Sequence, residues 1–140
     1  MAAPPFEPGE ISAETASFNA DLAKRLAEAP TPMDIPIPET RQARAEGRGL
    51  FPPAGPLEGS TWREIPGAGG RTARVRLSEP AGTARGVYLH IHGGGWTIGA
   101  PDQYDRYNQR IAAETGLAVA SVEYRLAPEN AWPAAPDDVE

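Results

Sequence analysis

Residues 92–96 read HGGGW, and we call this run the glycine loop. Each glycine costs conformational entropy, so three in succession within a folded chain need a reason. Glycine permits backbone angles that other residues avoid, and successive N–H groups in such a turn can point into one cavity and bind an anion. If that anion is the oxygen of a tetrahedral acyl intermediate, the loop is an oxyanion hole. One such donor stabilises the transition state by about 2.7–4 kcal/mol.

A second block lies downstream, where residues 123–129 read EYRLAPE and residues 132–138 read WPAAPDD. In this order and spacing, the two blocks resemble the hormone-sensitive-lipase-like esterases, a carboxylesterase family of the α/β-hydrolase fold. The resemblance covers residues 57–140 well and residues 10–56 only loosely, as a helical cap. It implies a serine carboxylic-ester hydrolase with a small-molecule ester as substrate and no cofactor.

The resemblance also assigns roles within the glycine loop. It implies that the backbone N–H groups of Gly94 and Gly95 are the oxyanion donors, and that Gly93 shapes the turn. His92 is then a structural support and not the catalytic base. Trp96 lines the pocket or anchors the loop.

The second block is implied to be scaffold around the next strand and helix. Its scaffold residues are Tyr124, Arg125, Pro128, Glu129 and Asp138. Asn130 stands where the family commonly has His, and Trp132 stands where it has Phe or Tyr. Neither difference touches the chemistry.

The family's nucleophile, acid and base are not found in residues 1–140. No serine has glycine both two positions before it and two positions after it, as a G-x-S-x-G nucleophile turn requires. The two histidines, His90 and His92, precede any such turn. We therefore expect an N-terminal part of an esterase that is inactive alone. The predicted organisation is a helical cap with linker over residues 1–56 and the first strands and first helix of the hydrolase core over residues 57–140.

The second half of the chain predicts an α/β fold. Residues 62–65 and 72–78 predict an antiparallel hairpin, because the second run alternates polar and apolar residues. The runs at 86–92 and 117–124 are nearly continuously apolar, which predicts strands buried on both faces of a parallel sheet. These strands and the helix between them would form a βαβ unit.

Capping residues predict the limits of the helices in this half. Asp102 is expected to cap the helix over residues 102–115, and Gly116 is expected to end it. Asp137 is expected to begin another helix.

The first half predicts short elements on extended connectors. Ser12 is expected to cap a helix whose apolar residues share one face: Ile11, Thr15, Phe18, Leu22, Leu26 and Ala29. We interpret this helix as docked on a core, with a lid over a pocket as the alternative. Residues 30–38 are expected to be extended, residues 40–48 to form a short charged helix, and residues 52–56 to form a proline-rich linker.

Composition excludes several classes of protein. The 140 residues contain no Cys, which excludes a disulfide scaffold, and a pI of about 5.0 without a basic cluster argues against a nucleic-acid partner. No apolar stretch reaches the ~18 residues of a membrane span. The first ten residues do not resemble a signal peptide, so the expected location is cytoplasmic. Large aliphatic residues are few, which suggests half a domain with open sheet edges that favour self-association.

Two alternatives stay open. The chain could be a non-catalytic module on a partial hydrolase fold that binds a partner or an acyl ligand with its glycine loop. It could also be a metal hydrolase, since His90 and His92 lie on one face of a strand end and could act as a ligand pair. The metal hypothesis leaves the glycines unexplained.

Overall fold

The computed structural model describes residues 11–31, 34–48 and 55–140. It divides into two compact units, Met1–Pro36 and Ile37–Glu140. Residues 52–54 of the predicted linker at 52–56 and residues 32–33 of the predicted extended segment at 30–38 fall outside the described residues.

The described part of the first unit consists mainly of helix α1, Ala13–Glu28. The hydroxyl of Ser12 accepts a 3.1 Å hydrogen bond from the Thr15 N–H, which confirms the predicted N-cap. No residue of α1 is buried, and Phe18 and Leu26 are 56% and 50% exposed. The docking of this face on a core stays a prediction.

The second unit is built on a four-stranded sheet in the order β1-β2-β4-β3. Its strands are β1 (Ser60–Pro66), β2 (Thr72–Ser78), β3 (Val87–Ile91) and β4 (Ala118–Glu123). The first two strands form the predicted antiparallel hairpin, and β2 also pairs antiparallel with β4. The β3–β4 pair is parallel, as predicted for the βαβ unit. The glycine loop follows β3, so the sheet places it at the edge where both parallel strands end.

The two apolar strands differ in burial. Five of the six residues of β4 are buried, as predicted, but β3 is the outer strand of the sheet. Val87, Leu89 and Ile91 are 70%, 52% and 53% exposed. The predicted burial of β3 on both faces is wrong, because within the described chain the helix between β3 and β4 packs mainly on β2 and β4. The predicted self-association through open edges stays a prediction.

The crossover between β3 and β4 contains a short 3-10 turn, Pro101–Tyr104, followed by helix α3, Asp105–Thr115. Gly116 ends α3 in the left-handed region at φ 71°, as predicted. The predicted cap at Asp102 is wrong, because Pro101 starts the 3-10 turn and the α-helix begins only at Asp105.

Asp105 anchors the crossover to the sheet through a buried ion pair with Arg76 of β2. Their side chains are 0% and 8% exposed, and the shortest N–O distance is 2.7 Å. The same carboxylate accepts a 2.8 Å hydrogen bond from the Leu57 N–H, and the Arg76 guanidinium donates to the Leu57 carbonyl at 3.0 Å. The pair therefore holds three separate segments together.

The remaining helices begin earlier than predicted. Helix α2 spans Ile37–Ala45, and helix α4 spans Ala134–Val139, so Asp137 lies inside α4 and does not cap it. Proline is tolerated in the first turn of a helix, because the N–H groups there have no partner within the helix. Pro38 and Pro136 occupy such positions. Helix α4 packs on a small core with these members: Val75, Val122, Tyr124, Ala135, Leu126 and Val139.

Candidate functional site

The glycine loop turns sharply after β3. Gly94 and Gly95 have φ angles of 135° and 59°, and Trp96 also has a positive φ, 59°. A Cβ atom on Gly94 would overlap the carbonyl oxygen of Ile98, whereas a Cβ on Gly95 would meet nothing within 4 Å. Gly94 is thus required by space and by backbone angle, and Gly95 by backbone angle alone.

The carbonyl of Gly94 is held inside this turn. It accepts hydrogen bonds from the N–H groups of Thr97 and Ile98 at 3.2 and 3.0 Å, and from the Thr97 hydroxyl at 3.2 Å. A trans peptide directs its C=O and its N–H to opposite sides, so the Gly95 N–H points out of the turn. Within the part of the chain that the structure describes, neither the Gly94 nor the Gly95 N–H donates to another group. Both donors are available to an external acceptor.

His92 and Tyr124 support the start of the loop. His92 is 3% exposed, and its ring stacks on Tyr124 with centroids 4.2 Å apart and planes inclined by 14°. The Tyr124 hydroxyl donates to the His92 carbonyl at 2.6 Å. The His92 Nδ1 lies 3.0 Å from the Gly93 carbonyl and 3.2 Å from the Tyr124 hydroxyl. Tyr124 directly follows β4, so these contacts join the ends of the two parallel strands.

Burial sets the charge state of these groups. It lowers the pKa of His92, opposed by the hydrogen bond to the Gly93 carbonyl, and it raises the pKa of Tyr124. Burial also lowers the pKa of His90, and the neighbouring His92 adds to this shift. Both imidazoles are therefore neutral at pH 7, and a neutral His92 protonated at Nδ1 can donate to the Gly93 carbonyl.

We expect stability to fall as the pH drops below the ordinary histidine pKa of about 6.5. Because both histidines have lowered pKa values in the folded state, the unfolded chain binds more protons in this range. Their stabilising effect is complete above pH 6.5 and is lost as the pH falls through the folded pKa values. Thermal unfolding midpoints at about pH 7.5 and about pH 5.5 measure this loss. In the double variant His90→Gln, His92→Gln the difference should shrink, and an unchanged difference would contradict the assignment.

A cleft of about 300 Å³ opens beside the loop. Its lining is mostly apolar and consists of Gly95, Trp96, Ala127, Asn130, Trp132, Ala135 and Pro136. Trp96 and Trp132 are 66% and 83% exposed, so two indole rings are accessible beside the Gly95 backbone. The arrangement can hold an apolar group next to a backbone N–H donor.

The second sequence block lines part of this cleft through Ala127, Trp132, Ala135 and Pro136, and its charged side chains pair elsewhere. Arg125 forms an ion pair with Asp138 at 2.8 Å, and its backbone N–H donates to the same carboxylate at 2.8 Å. Glu129 forms a bidentate ion pair with Arg41 of α2, with both N–O distances at 2.9 Å. Arg41 was not among the sequence-predicted site residues, because a contact with a residue 88 positions away leaves no local pattern.

His90 and His92 have different partners. The Nδ1 of His90 lies 2.7 Å from the hydroxyl of Ser121, which is fully buried inside β4 and so cannot reach a substrate. Among the described residues no three His, Cys, Asp or Glu side chains are grouped to hold a metal ion. The same part of the chain contains no helix that is long and apolar enough to cross a membrane.

Residues 88–140 match a protein-family model whose description is "alpha/beta hydrolase fold". The carboxylic ester hydrolase LipN of Mycobacterium tuberculosis is 36% identical over 74 residues, which are 53% of this chain and 20% of that protein. The ethyl acetate hydrolase of Pseudomonas putida is 38% identical over 73 residues, 49% of this chain and 23% of that protein. This chain thus spans about a fifth of the length of these relatives.

Solved structures agree with this similarity. An esterase of Pyrobaculum calidifontis superposes with a TM-score of 0.64 at 31% sequence identity, covering 84% of this chain and 39% of that one. The open four-stranded sheet of this chain therefore corresponds to only part of the structure of that esterase. Residues 88–140 match the α/β-hydrolase fold family model, and the chain has the fold of part of an α/β-hydrolase domain, with sequence similarity to carboxylic ester hydrolases.

Proposed function

We propose that the glycine loop is the oxyanion hole of a carboxylic-ester hydrolase, with the N–H groups of Gly94 and Gly95 as its donors. The observation that carries the proposal is that both N–H groups lack a partner among the described residues, while Gly95 lines an apolar cleft. The two similar proteins described above are a carboxylic ester hydrolase and an ethyl acetate hydrolase, which supports the same reaction class.

The chemistry follows from the direction of these donors. When a nucleophile attacks the ester carbonyl carbon, the carbonyl oxygen becomes an oxyanion that needs hydrogen-bond donors. Two preorganised backbone N–H groups stabilise this charge more than they stabilise the neutral ester, and one donor contributes about 2.7–4 kcal/mol. His92 supports the loop and takes no part in proton transfer, because its ring is buried against Tyr124.

The reaction also needs a nucleophile, a base and an acid. Residues 1–140 contain no G-x-S-x-G turn, and the hydroxyl of Ser121 is buried inside the sheet. We propose that these three groups lie outside residues 1–140 and that the 140-residue chain alone does not turn over esters. The substrate is a small carboxylic ester, one part of which occupies the cleft beside Trp96 and Trp132.

An ester-hydrolysis assay tests the proposal. The protein encoded by the complete reading frame that contains these residues and the 140-residue chain are each given p-nitrophenyl acetate. We expect p-nitrophenol release from the complete protein and only the buffer rate from the 140-residue chain. A folded complete protein without turnover would contradict the proposal and favour a non-catalytic binding module. If the 140-residue chain turns over the ester and Gly94→Val abolishes that turnover, only the proposed inactivity of this chain is contradicted.

A further inference from the structure

Arg41 joins the two loops that follow the parallel strands. Its Nε donates to the Thr97 carbonyl at 2.8 Å, and its Nη2 donates to the Ala127 carbonyl at 2.6 Å. The guanidinium also forms the bidentate ion pair with Glu129. The Arg41 side chain is only 27% exposed, so these bonds are partly protected from water. One side chain of α2 thus connects the residue after the glycine loop to the turn after β4.

Thr97 is bonded both to Arg41 and to the glycine loop. Its carbonyl accepts from Arg41, while its N–H and hydroxyl both donate to the Gly94 carbonyl. Because the peptide between Gly94 and Gly95 is planar, fixing the Gly94 carbonyl also fixes the direction of the Gly95 N–H. A second bond acts alongside, since the Ala127 N–H donates to the Trp96 carbonyl at 2.8 Å.

We propose that Arg41 is a positioning residue of the oxyanion hole, acting through Thr97 on the direction of the Gly95 N–H. Its effect on catalysis rests on the proposed function, but its effect on loop order does not. Lysine cannot replace it fully, because an ammonium lacks the planar fork that donates to two carbonyls and a carboxylate together. Arg41→Lys should therefore restore only part of what Arg41→Ala removes.

Backbone order of Gly95 gives a readout that needs no activity. In the 15N-labelled 140-residue chain, we expect the Gly95 N–H order parameter to fall from about 0.85 to below about 0.6 in Arg41→Ala. In Arg41→Lys it should take an intermediate value, and the amides of β2 and β4 should keep their order in both variants. If Arg41→Ala unfolds the whole chain, Arg41→Lys decides the question by the same measurement.

Arg125→Ala is the matched control. Arg125 also forms a bidentate ion pair with a carboxylate and donates to a backbone carbonyl, but its partners are Asp138 and Ala134. This variant should leave Gly95 ordered. Unchanged Gly95 order in both Arg41 variants, or an equal loss of order in Arg125→Ala, would overturn the proposal.

Kinetics of the protein from the complete reading frame separate this inference from the proposed function. Arg41→Ala should lower kcat on p-nitrophenyl acetate by about tenfold to 100-fold, because a misdirected donor weakens transition-state binding. KM should change less than about twofold, since the neutral ester needs the donor less. A rise in KM with unchanged kcat would contradict a positioning role. An inactive wild-type protein in which Arg41→Ala still disorders Gly95 would contradict the proposed function alone.

Discussion

Gly94→Ala is expected to lower kcat for ester hydrolysis by about 100-fold to 1000-fold, the size of effect that follows the loss of an oxyanion-hole donor. The new Cβ would overlap the Ile98 carbonyl oxygen, and the backbone angle of 135° is unfavourable for alanine. The turn must then rearrange, which redirects the N–H groups of Gly94 and Gly95. The measurement is kcat and KM of the protein from the complete reading frame, with folding checked by circular dichroism.

Gly95→Ala is the matched control for this substitution. It adds the same methyl group to the same loop, but that methyl would meet no atom within 4 Å, and the φ of 59° lies in the left-handed region. Its cost is about 1–2 kcal/mol of backbone strain, and the N–H donor is retained. We expect a kcat loss below about tenfold. Equal losses in the two variants would contradict the view that the space around Gly94 fixes the donors.

Asp105→Ala is expected to lower the free energy of unfolding by about 3–5 kcal/mol, because it leaves the buried Arg76 guanidinium without its counter-charge. The carboxylate is fully buried and accepts hydrogen bonds from the guanidinium and from the Leu57 N–H. Its loss leaves donors on β2 and on the segment before β1 unsatisfied at once. Urea unfolding followed by tryptophan fluorescence measures the change.

Glu114→Ala is the control for this ion pair. Glu114 pairs with Arg110 at 2.7 Å on the exposed face of α3, where the side chains are 61% and 75% exposed. Water screens such an exposed helical pair, so its loss should hardly move the unfolding midpoint. Asp105→Asn keeps the shape and removes the charge, and it should lie between the two. A change below about 1 kcal/mol in Asp105→Ala would contradict the buried-pair argument.

The sequence predicts which segments form strands better than it predicts which elements pack against those strands. Alternation and apolar runs are local signals, so the β1–β2 hairpin, the βαβ unit and the stop at Gly116 are all confirmed. The exposure of β3 depends on which elements pack on its faces, and an apolar run does not encode that. The predicted starts of α2 and α4 are too late. Pro38 and Pro136 lie in the first turns of these helices, where proline is compatible with helix.

In the candidate site, too, local features could be predicted from the sequence and long-range contacts could not. The position of the glycine loop after a strand follows from adjacent residues and is confirmed. The supporting role of His92 stays a prediction, and its ring stacks on Tyr124. The oxyanion roles of Gly94 and Gly95 stay predictions. Arg41 gives no sequence signal, since its partners Thr97 and Glu129 lie 56 and 88 positions further along the chain.

The bond from the Tyr124 hydroxyl to the His92 carbonyl has a consequence for the order of events during synthesis. The three glycines leave the ribosome well before Tyr124, which lies 32 positions after His92. Contacts between distant positions form only after the intervening chain has closed its loop. A nascent chain that ends between Gly95 and Tyr124 therefore contains the three glycines without the bond that joins His92 to Tyr124. That bond can form only when β4 joins β3.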